Sequence, residues 1–178
     1  GAAPTGPRVA STDNFVYGTA SQGGANGRGV VFRIAFDGTG FQVLHEFSAT
    51  TADTTTGLLE NADGATPRGG LLDGGDGYFY GTAAQGGTDG NGVIFAIPAD
   101  GSTFTVLHSF TGADGARPVA ELMAASSGKL YGVTSTGGVN STGTTTALGT
   151  IFSIDRAGTD FSRLYSFDGQ NGSLPSSR

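Results

Sequence analysis

The stretch FYGTAAQGG, residues 79–87, has two close relatives elsewhere in the 178-residue chain. VYGTASQGG stands at 16–24 and LYGVTSTGG at 130–138. Recurrence of one motif at intervals along a chain is typical of proteins built from stacked structural repeats. The question is whether this motif serves architecture or chemistry.

Four landmarks recur in the same order in each repeat. After the Tyr-Gly pair come an apolar run, a Phe-to-Phe run and a turn with proline. The apolar runs are VVFRI (30–34), VIFAI (93–97) and TIFSI (150–154). The Phe-to-Phe runs are FQVLHEF (41–47), FTVLHSF (104–110) and FSRLYSF (161–167). The proline turns are DGATP (63–67), DGARP (114–118) and NGSLP (171–175).

The spacing of these landmarks sets the expected boundaries. The Tyr-Gly pairs stand 63 and then 51 residues apart, so the repeat is 51 residues long and the first copy carries an insertion at about 48–61. The third copy carries one at about 139–148. The expected units are 1–62, 63–113 and 114–170, with 171–178 as the start of a truncated fourth repeat.

Each repeat has the pattern of four short strands. The first comes from the run after the proline, such as RGGLLD (68–73), and precedes the Tyr-Gly strand. Asp100-Gly101 supplies a hairpin turn between the third and fourth strands. In FTVLHSF, alternation predicts Phe104, Val106, His108 and Phe110 on one face and Leu107 on the other.

Apolar residues on both faces indicate sheets that stack on neighbouring sheets. Tandem four-stranded antiparallel sheets of this length are typical of β-propeller blades. The predicted fold is therefore all-β, with three four-stranded antiparallel blades of a β-propeller-type repeat array. A different fold of three β units is the alternative.

The pattern LYGTxxxGG–GxxF–LxxF–DGxxP resembles the GloVer tandem repeat of bacterial surface and secreted proteins, the choice-of-anchor group. The resemblance covers nearly the whole chain, because all four landmarks recur in order three times. It implies an exported bacterial protein with many repeats and a C-terminal anchor. The expected location is therefore extracytoplasmic: periplasmic, cell-surface or secreted. The sequence departs from the family in showing no anchor and only three repeats.

Composition excludes several classes of function. The net charge is −6, and the single lysine and eight arginines are scattered, so no basic stripe could neutralise a nucleic-acid backbone. No apolar run approaches the length needed to span a membrane. The chain has no Cys, which excludes disulfides and cysteine-type zinc sites.

No pattern predicts a catalytic, metal or cofactor site, and the expected protein is not an enzyme. His45 and His108 occupy equivalent positions in two repeats, where a half-buried packing role is favoured over zinc ligation. GTAAQGG lacks the Lys-Ser/Thr of a phosphate-binding loop, so its glycines are interpreted as turns. A propeller hydrolase or lyase is the third-ranked hypothesis.

Two sets of residues are candidate binding sites. Leu58 and Leu59 form an apolar tip in the polar first insertion, and together with Glu60 they could dock a protein partner unless the leucines fold back onto their own blade. Exposed aromatic rings at the three Tyr-Gly positions could instead serve a lectin-like protein as sugar platforms, although packing is the favoured role. These rings are Tyr17, Tyr80 and Tyr131.

The two ends of the chain match the same phase of the repeat. GAAP (1–4) resembles GATP (64–67), and GSLP (172–175) resembles the opening of a fourth unit. Three blades would leave an open arc with apolar end faces, which favours self-association or protein partners. A slice of a longer array, a ring of two chains and a head-to-tail filament all remain open. The expected role is a structural or interaction subunit of a surface assembly or larger complex.

Overall fold

A computed structural model describes residues 2–4, 9–139, 143 and 148–176. Most of the insertion predicted in the third repeat, 140–142 and 144–147, lies outside these described residues. All regular elements within the described ranges are β-strands, arranged as three five-membered antiparallel sheets and one two-stranded hairpin. The described part of the chain contains no helix that could cross a membrane.

The sheets follow one another along the chain, one for each repeat. The first contains β1 Ala2–Pro4, β2 Val9–Ala10, β3 Phe15–Gln22, β4 Val30–Ala35 and β5 Gln42–Glu46. The hairpin is β6 Thr51–Ala52 and β7 Leu59–Glu60. The second sheet contains β8 Ala65–Pro67, β9 Leu72–Asp73, β10 Tyr78–Gln85, β11 Val93–Pro98 and β12 Thr105–Ser109. The third contains β13 Ala116–Pro118, β14 Met123–Ala124, β15 Leu130–Thr136, β16 Thr150–Ile154 and β17 Ser162–Ser166.

The predicted four-strand order holds, but the first strand is broken into two pieces. In the second sheet, β8 and β9 both pair with β10, which pairs with β11 and then β12. The prediction that RGGLLD (68–73) forms the first strand is right only for its last two residues, which are β9. Residues 68–71 are irregular, and the proline turn before them supplies β8. Proline has no N–H to continue the ladder. The chain then leaves the sheet at Gly69, whose carbonyl accepts a 3.0 Å hydrogen bond from Thr19 in the preceding repeat.

A β-bulge corrects the predicted alternation of the fourth strand. The register between β11 and β12 shifts at Ile94/Phe95, so Leu107 is an extra residue in the ladder. Phe104 and Val106 consequently pack toward the first sheet, whereas Leu107 and Phe110 pack toward the third. The prediction that Phe104, Val106, His108 and Phe110 share one face is therefore wrong.

The hydrophobic core lies between the sheets. We call the side that a sheet turns toward the following repeat its forward face, and the opposite side its rear face. Tyr17, Val31 and Phe47 on the forward face of the first sheet pack against the rear face of the second, where Phe79 and Phe95 lie. A second cluster joins the second and third sheets in the same way. The second sheet is thus covered on both sides, as the apolar residues on both of its faces predict.

The repeated Tyr-Gly motif serves this stacking. A Cβ on Gly81 would lie 2.5 Å from the ring of Phe95, so the glycine makes room for the phenylalanine of the next strand. The threonine that follows donates across the sheet boundary: Thr82 to the carbonyl of Ala120 at 3.2 Å, as Thr19 does to Gly69. The motif that recurs in the sequence is therefore architectural.

Consecutive sheets are also joined by a contact that we call the proline–glycine latch. Pro67 packs on Gly29, and Pro118 packs on Gly92, so that a Cβ on either glycine would lie 2.6–2.7 Å from the proline Cδ. Both glycines have φ near +100°, a conformation that L side chains rarely adopt.

A backbone hydrogen bond accompanies each latch. The residue before the proline, Thr66 or Arg117, has φ of 57° or 54°. Its N–H donates at 2.8 Å to a carbonyl of the preceding repeat, that of Arg28 or Asn91. One short strand segment thus pairs with its own sheet and holds the sheet before it.

Substitution of a latch glycine tests this joint. Gly92→Ala should lower the free energy of unfolding by about 2–4 kcal/mol, because backbone strain adds to a clash with Pro118. Gly38→Ala is the matched control, since Gly38 has φ of 82° but no atom within 4 Å of the added Cβ. It should cost only about 1–2 kcal/mol. Urea unfolding measures both, and equal losses would contradict the latch.

Candidate functional site

The two histidines lie at the sheet boundaries. The Nε2 atom of His45 is 2.9 Å from Asp63 Oδ2, and the imidazole stacks on Phe104 of the second sheet with 3.7 Å between ring centroids. His108 repeats this arrangement with Asp114, also at 2.9 Å, and with Phe161 at 3.7 Å. Each imidazole therefore contacts an aspartate through its Nε2 atom and stacks its ring on the phenylalanine of the following repeat.

Serine, histidine and aspartate meet at the first of these boundaries, but not in the order that nucleophilic catalysis needs. Asp63 lies in the middle: it accepts hydrogen bonds from the side chain of Ser48 and from its N–H, and contacts His45. In a catalytic triad the histidine lies between the acid and the nucleophile, so that it can take the hydroxyl proton. Here the hydroxyl of Ser48 is held by the carboxylate and not by the imidazole. The cluster joins the ends of a loop.

The aspartates of these clusters are stabilised in their ionised form. Burial raises the pKa of Asp114, but hydrogen bonds from His108 and Thr111 outweigh that effect and lower the pKa below its ordinary value of 3.8. The pKa of Asp63 is lowered for the same reasons, with Ser48 in place of Thr111. A carboxylate with a lowered pKa stabilises the folded state above its ordinary pKa, and this contribution is lost as pH falls through the lowered value.

Asp114→Asn tests this contribution. At pH 7 the variant should lose about 1.5–3 kcal/mol of unfolding free energy, because charge-assisted hydrogen bonds disappear. The difference should shrink as pH falls below 3.8, where the carboxylate of the native protein becomes protonated. Asparagine fits the position, since Asn171 occupies it in the third repeat.

The control is Asp73→Asn, at the exposed end of β9, which should change stability by no more than about 0.5 kcal/mol. Chemical denaturation across pH 2.5–7 measures both variants. A deficit of Asp114→Asn that stayed constant down to the lowest pH would contradict the role of the charge.

The candidate sugar platforms are packing residues in the first two repeats. Tyr17 and Tyr80 are buried, and Tyr17 stacks on Phe79 of the next sheet with 4.0 Å between centroids. The Tyr80 hydroxyl donates to Asp76 at 2.9 Å, and burial, followed by this hydrogen bond, raises the pKa of Tyr80 to about 12. Neither ring offers a free face to a sugar. Tyr131 is half-buried on the forward face of the third sheet.

The first insertion forms the hairpin β6–β7 and reaches the second repeat. Leu58, Leu59 and Glu60 are all half-buried. A Cβ on Gly90 would lie 2.6 Å from that of Leu58 and 3.1 Å from the carbonyl oxygen of Leu59. The Leu58 side chain and the Leu59 backbone therefore lie against the glycine-rich loop of the second repeat. Leu58 and Leu59 line a cleft of about 540 Å³ with Gln85, Asn91 and Arg117. Glu60 does not line this cleft.

The rear face of the first sheet, which we call the open rear face, has no sheet against it among the described residues. It carries the buried Phe32 together with Phe41 and Val43. Phe36 follows β4 at the position of Ala99, which packs against the first core cluster. Phe41 corresponds to Phe104 and Phe161, which stack on histidines of the preceding sheet. Phe41 is instead 55% exposed and contacts Phe32, with 5.4 Å between centroids.

The forward face of the third sheet, the open forward face, is its counterpart. It comprises Met123, Tyr131, Leu164 and Tyr165. Tyr165 corresponds to His45 and His108 but has no phenylalanine of a following repeat over it. Met123 is 64% exposed and Leu164 51%, whereas the equivalent Leu72 and Leu107 pack into the second core cluster.

Exposed apolar side chains concentrate at these two ends. The described residues contain seven large exposed hydrophobic residues. Six of them lie on the two open faces or in the segment beyond the third sheet: Phe36, Phe41, Met123, Leu164, Tyr165 and Leu174. The described chain holds no cluster of three or more potential metal-ligating side chains. The end faces are therefore the candidate functional surfaces.

A family model described as the Gloeobacter/Verrucomicrobia repeat matches residues 1–178. The chain belongs to the Gloeobacter/Verrucomicrobia repeat family. The resemblance to the GloVer repeat, stated from the landmarks, is thereby confirmed. The family name indicates a bacterial origin. No curated protein is similar to the chain in sequence.

Solved structures with a similar fold support the predicted fold class. A chain in the crystal structure of a nidogen/laminin complex superposes with a TM-score of 0.58 at 16% identity. The match covers 91% of this chain and 48% of that one, so this Gloeobacter/Verrucomicrobia repeat chain spans less than half of its neighbour's length. The all-β, β-propeller-type fold is confirmed. The similarity concerns the fold alone.

Two further structures are more distant. A putative TolB from Agrobacterium tumefaciens has a TM-score of 0.36 at 10% identity, with 85% of this chain and 61% of that chain covered. The tricorn protease has a TM-score of 0.35 at 12% identity, with coverage of 87% and 18%.

Sequence reasoning missed two features of the Gloeobacter/Verrucomicrobia repeat. The proline–glycine latch had a signal, because a glycine precedes the apolar run and a proline closes the turn in all three repeats. Their contact joins residues 26 or 38 positions apart, which no local pattern reveals. The cleft had no signal, since Asn91 and Arg117 occur at their positions in one repeat only.

Proposed function

We propose that the chain is a non-enzymatic, extracytoplasmic module that works by contact, as a structural or interaction subunit of a surface assembly or larger complex. Its open rear and forward faces are the binding surfaces. One observation carries the proposal: Phe41, Met123 and Leu164 are exposed at the two ends, whereas their equivalents at the internal sheet boundaries pack against the core clusters. These equivalents are Phe104 and Phe161 for Phe41, Leu72 for Met123 and Leu107 for Leu164. A like sheet is therefore a partner of suitable shape and chemistry for either face.

The third repeat favours association further, because its forward face is less polar than those of the other two. Val133 replaces the threonines that donate across the internal boundaries. Ser127 replaces the aspartates that bond the Tyr17 and Tyr80 hydroxyls. Tyr165 replaces a histidine, and so the face gains apolar area. Large exposed apolar patches on soluble proteins mark interaction sites.

The His–Asp clusters support a non-enzymatic role. They are the part of the described chain with the most catalytic character, and the imidazole faces are covered by Phe104 and Phe161. The extracytoplasmic location is supported by the resemblance to exported repeat proteins and is compatible with the lack of cysteine.

Light scattering on the isolated chain tests the proposal. The chain should associate as its concentration rises, through burial of Leu164 and its neighbours. Leu164→Asp should raise the dissociation constant at least tenfold, since burying one leucine contributes about 1.5–3 kcal/mol and 1.4 kcal/mol is a factor of ten. Phe41→Asp should do the same from the other end.

Tyr78→Asp is the matched control. Tyr78 is 43% exposed, but it lies beside the boundary of the second and third sheets, away from both open faces. The Tyr78→Asp variant should associate with the same dissociation constant as the native chain. A chain that stayed monomeric at millimolar concentration, or equal weakening by all three substitutions, would contradict the proposal.

Carbohydrate binding in the cleft beside the first insertion is the second candidate function. It is favoured by the lining, which sets two leucines against the side chains of Gln85, Asn91 and Arg117. A volume of 540 Å³ falls within the range of small-molecule sites. The buried Tyr17 and Tyr80 take no part.

A glycan array on native chain and Arg117→Ala tests this alternative. Arg117 is exposed, and no hydrogen bond of its side chain occurs among the described contacts, so the substitution should leave the fold intact. Binding should be present in the native chain and fall at least tenfold in the variant. No binding by the native chain, or equal binding by both, would exclude the cleft as a sugar site.

A further inference from the structure

Residues 173–175, which we call the donor segment, have the backbone conformation of β8 and β13, the first strands of the second and third sheets, but they belong to no sheet. Leu174 has φ of 51°, close to the 57° of Thr66 and the 54° of Arg117. Its N–H donates at 2.8 Å to the carbonyl of Leu148, as the N–H groups of those residues donate to the repeats before them.

The donor segment also closes a latch. A Cβ on Gly149 would lie 2.6 Å from Pro175 Cδ, the same contact that Pro67 makes with Gly29. Gly149 has φ of 99°, in line with the other two latch glycines. The segment therefore makes both latch contacts with the third sheet, the proline on the glycine and the N–H to the carbonyl, that β8 makes with the first.

The other half of the contacts is missing. β8 also pairs with the strand of its own sheet, in the register Ala65↔Gln85 and Pro67↔Ala83. No described strand pairs with the donor segment, and Leu174 is 57% exposed. The donor segment thus contacts the sheet before it, as β8 does, but the described residues contain no following sheet with which it could pair.

The first sheet shows the complementary deficit. Its β1 pairs with β3 in the register Ala2↔Gln22 and Pro4↔Ala20. Pro4 is exposed, however, whereas Pro67 and Pro118 are buried in their latches. β1 therefore pairs with its own sheet, as β8 does, but its Pro4 closes no latch with a preceding sheet among the described residues.

We propose that the donor segment of one copy inserts beside β3 of a second copy and replaces β1 there. The register of β8 predicts Ser173↔Gln22 and Pro175↔Ala20 between the two copies. This inference rests on the proposed function, because the open forward face of the first copy then covers the open rear face of the second. Tyr165 lies over Phe41 as His45 lies over Phe104.

A second copy is the occupant because this chain contains both matching halves. The donor segment is already ordered for the role: Asp168 Oδ1 accepts the N–H groups of Gln170 and Asn171 at 3.0 and 3.2 Å, and the latch fixes the end of the segment. Such preorganisation lowers the entropic cost of strand addition. One donor and one acceptor per copy give head-to-tail contacts, which build rings or filaments.

Cysteine cross-linking between two copies tests the register directly, since the native chain has no Cys. One sample carries Ser173→Cys and is isotopically labelled, and the other carries Gln22→Cys. After mixing and mild oxidation, mass spectrometry should find the mixed disulfide at least tenfold above a mixture of Ser173→Cys with Thr54→Cys. Thr54 is an exposed residue of the first insertion and so reports random collision.

Two further variants keep the test interpretable. Ala65→Cys/Gln85→Cys places the same register inside one chain, and should form an intrachain disulfide that shows the geometry to be competent. Deletion of residues 1–4 removes the competing β1, and should raise the yield between Ser173→Cys and Gln22→Cys.

The outcomes separate this inference from the proposed function. Association by light scattering without the mixed disulfide, while the intrachain control forms, would overturn strand exchange and leave face-to-face binding intact. Absence of association as well would overturn both. A mixed disulfide whose yield fell on deletion of residues 1–4 would also contradict the replacement of β1.

Discussion

The structure depends on contacts that each repeat makes with the one before it. A proline packs on a glycine of the preceding sheet, and the residue before that proline, which has a left-handed conformation, donates its N–H to a carbonyl of the preceding repeat. The same short segment begins the next sheet, so the joint between sheets and the start of a sheet are one element. Stacking of His45 on Phe104 and the phenylalanine clusters add apolar area to this joint. A repeat of this kind is completed by its neighbours.

This dependence explains why both ends of the described array are apolar. The forward face of the third sheet and the rear face of the first carry the positions that elsewhere form the core. The third repeat differs at its forward face, where Val133 and Tyr165 replace residues that make polar contacts at the internal boundaries. We interpret the ends as surfaces for contact, because burial of such faces is what stabilises the middle of the chain.

Much of the fold could be predicted because the same four landmarks recur in the same order in each repeat. The Gly-Phe contact of the Tyr-Gly strand and the hairpin at Asp100-Gly101 are local, and local patterns are legible in a sequence. The break in the first strand and the bulge at Leu107 were not predicted. The chain leaves the second sheet where Gly69 contacts the preceding repeat, and Leu107 packs toward the following one. The candidate site shows a related limit: the sequence left Tyr17 and Tyr80 as possible sugar platforms, with packing as the favoured role, and the contact with the next sheet shows that both rings are covered. Leu58 and Leu59 were identified as unusual, but the loop they pack on lies in the second repeat.

Amide hydrogen exchange at low and high protein concentration tests the central claim most directly. If the two end faces bind each other, exchange should slow with rising concentration at residues 16–22 and 41–43 and at residues 162–175. Exchange in β11, already covered on both sides, should not change. Exchange that was independent of concentration at both ends would contradict the account. The open faces would then be surfaces that the isolated chain leaves uncovered.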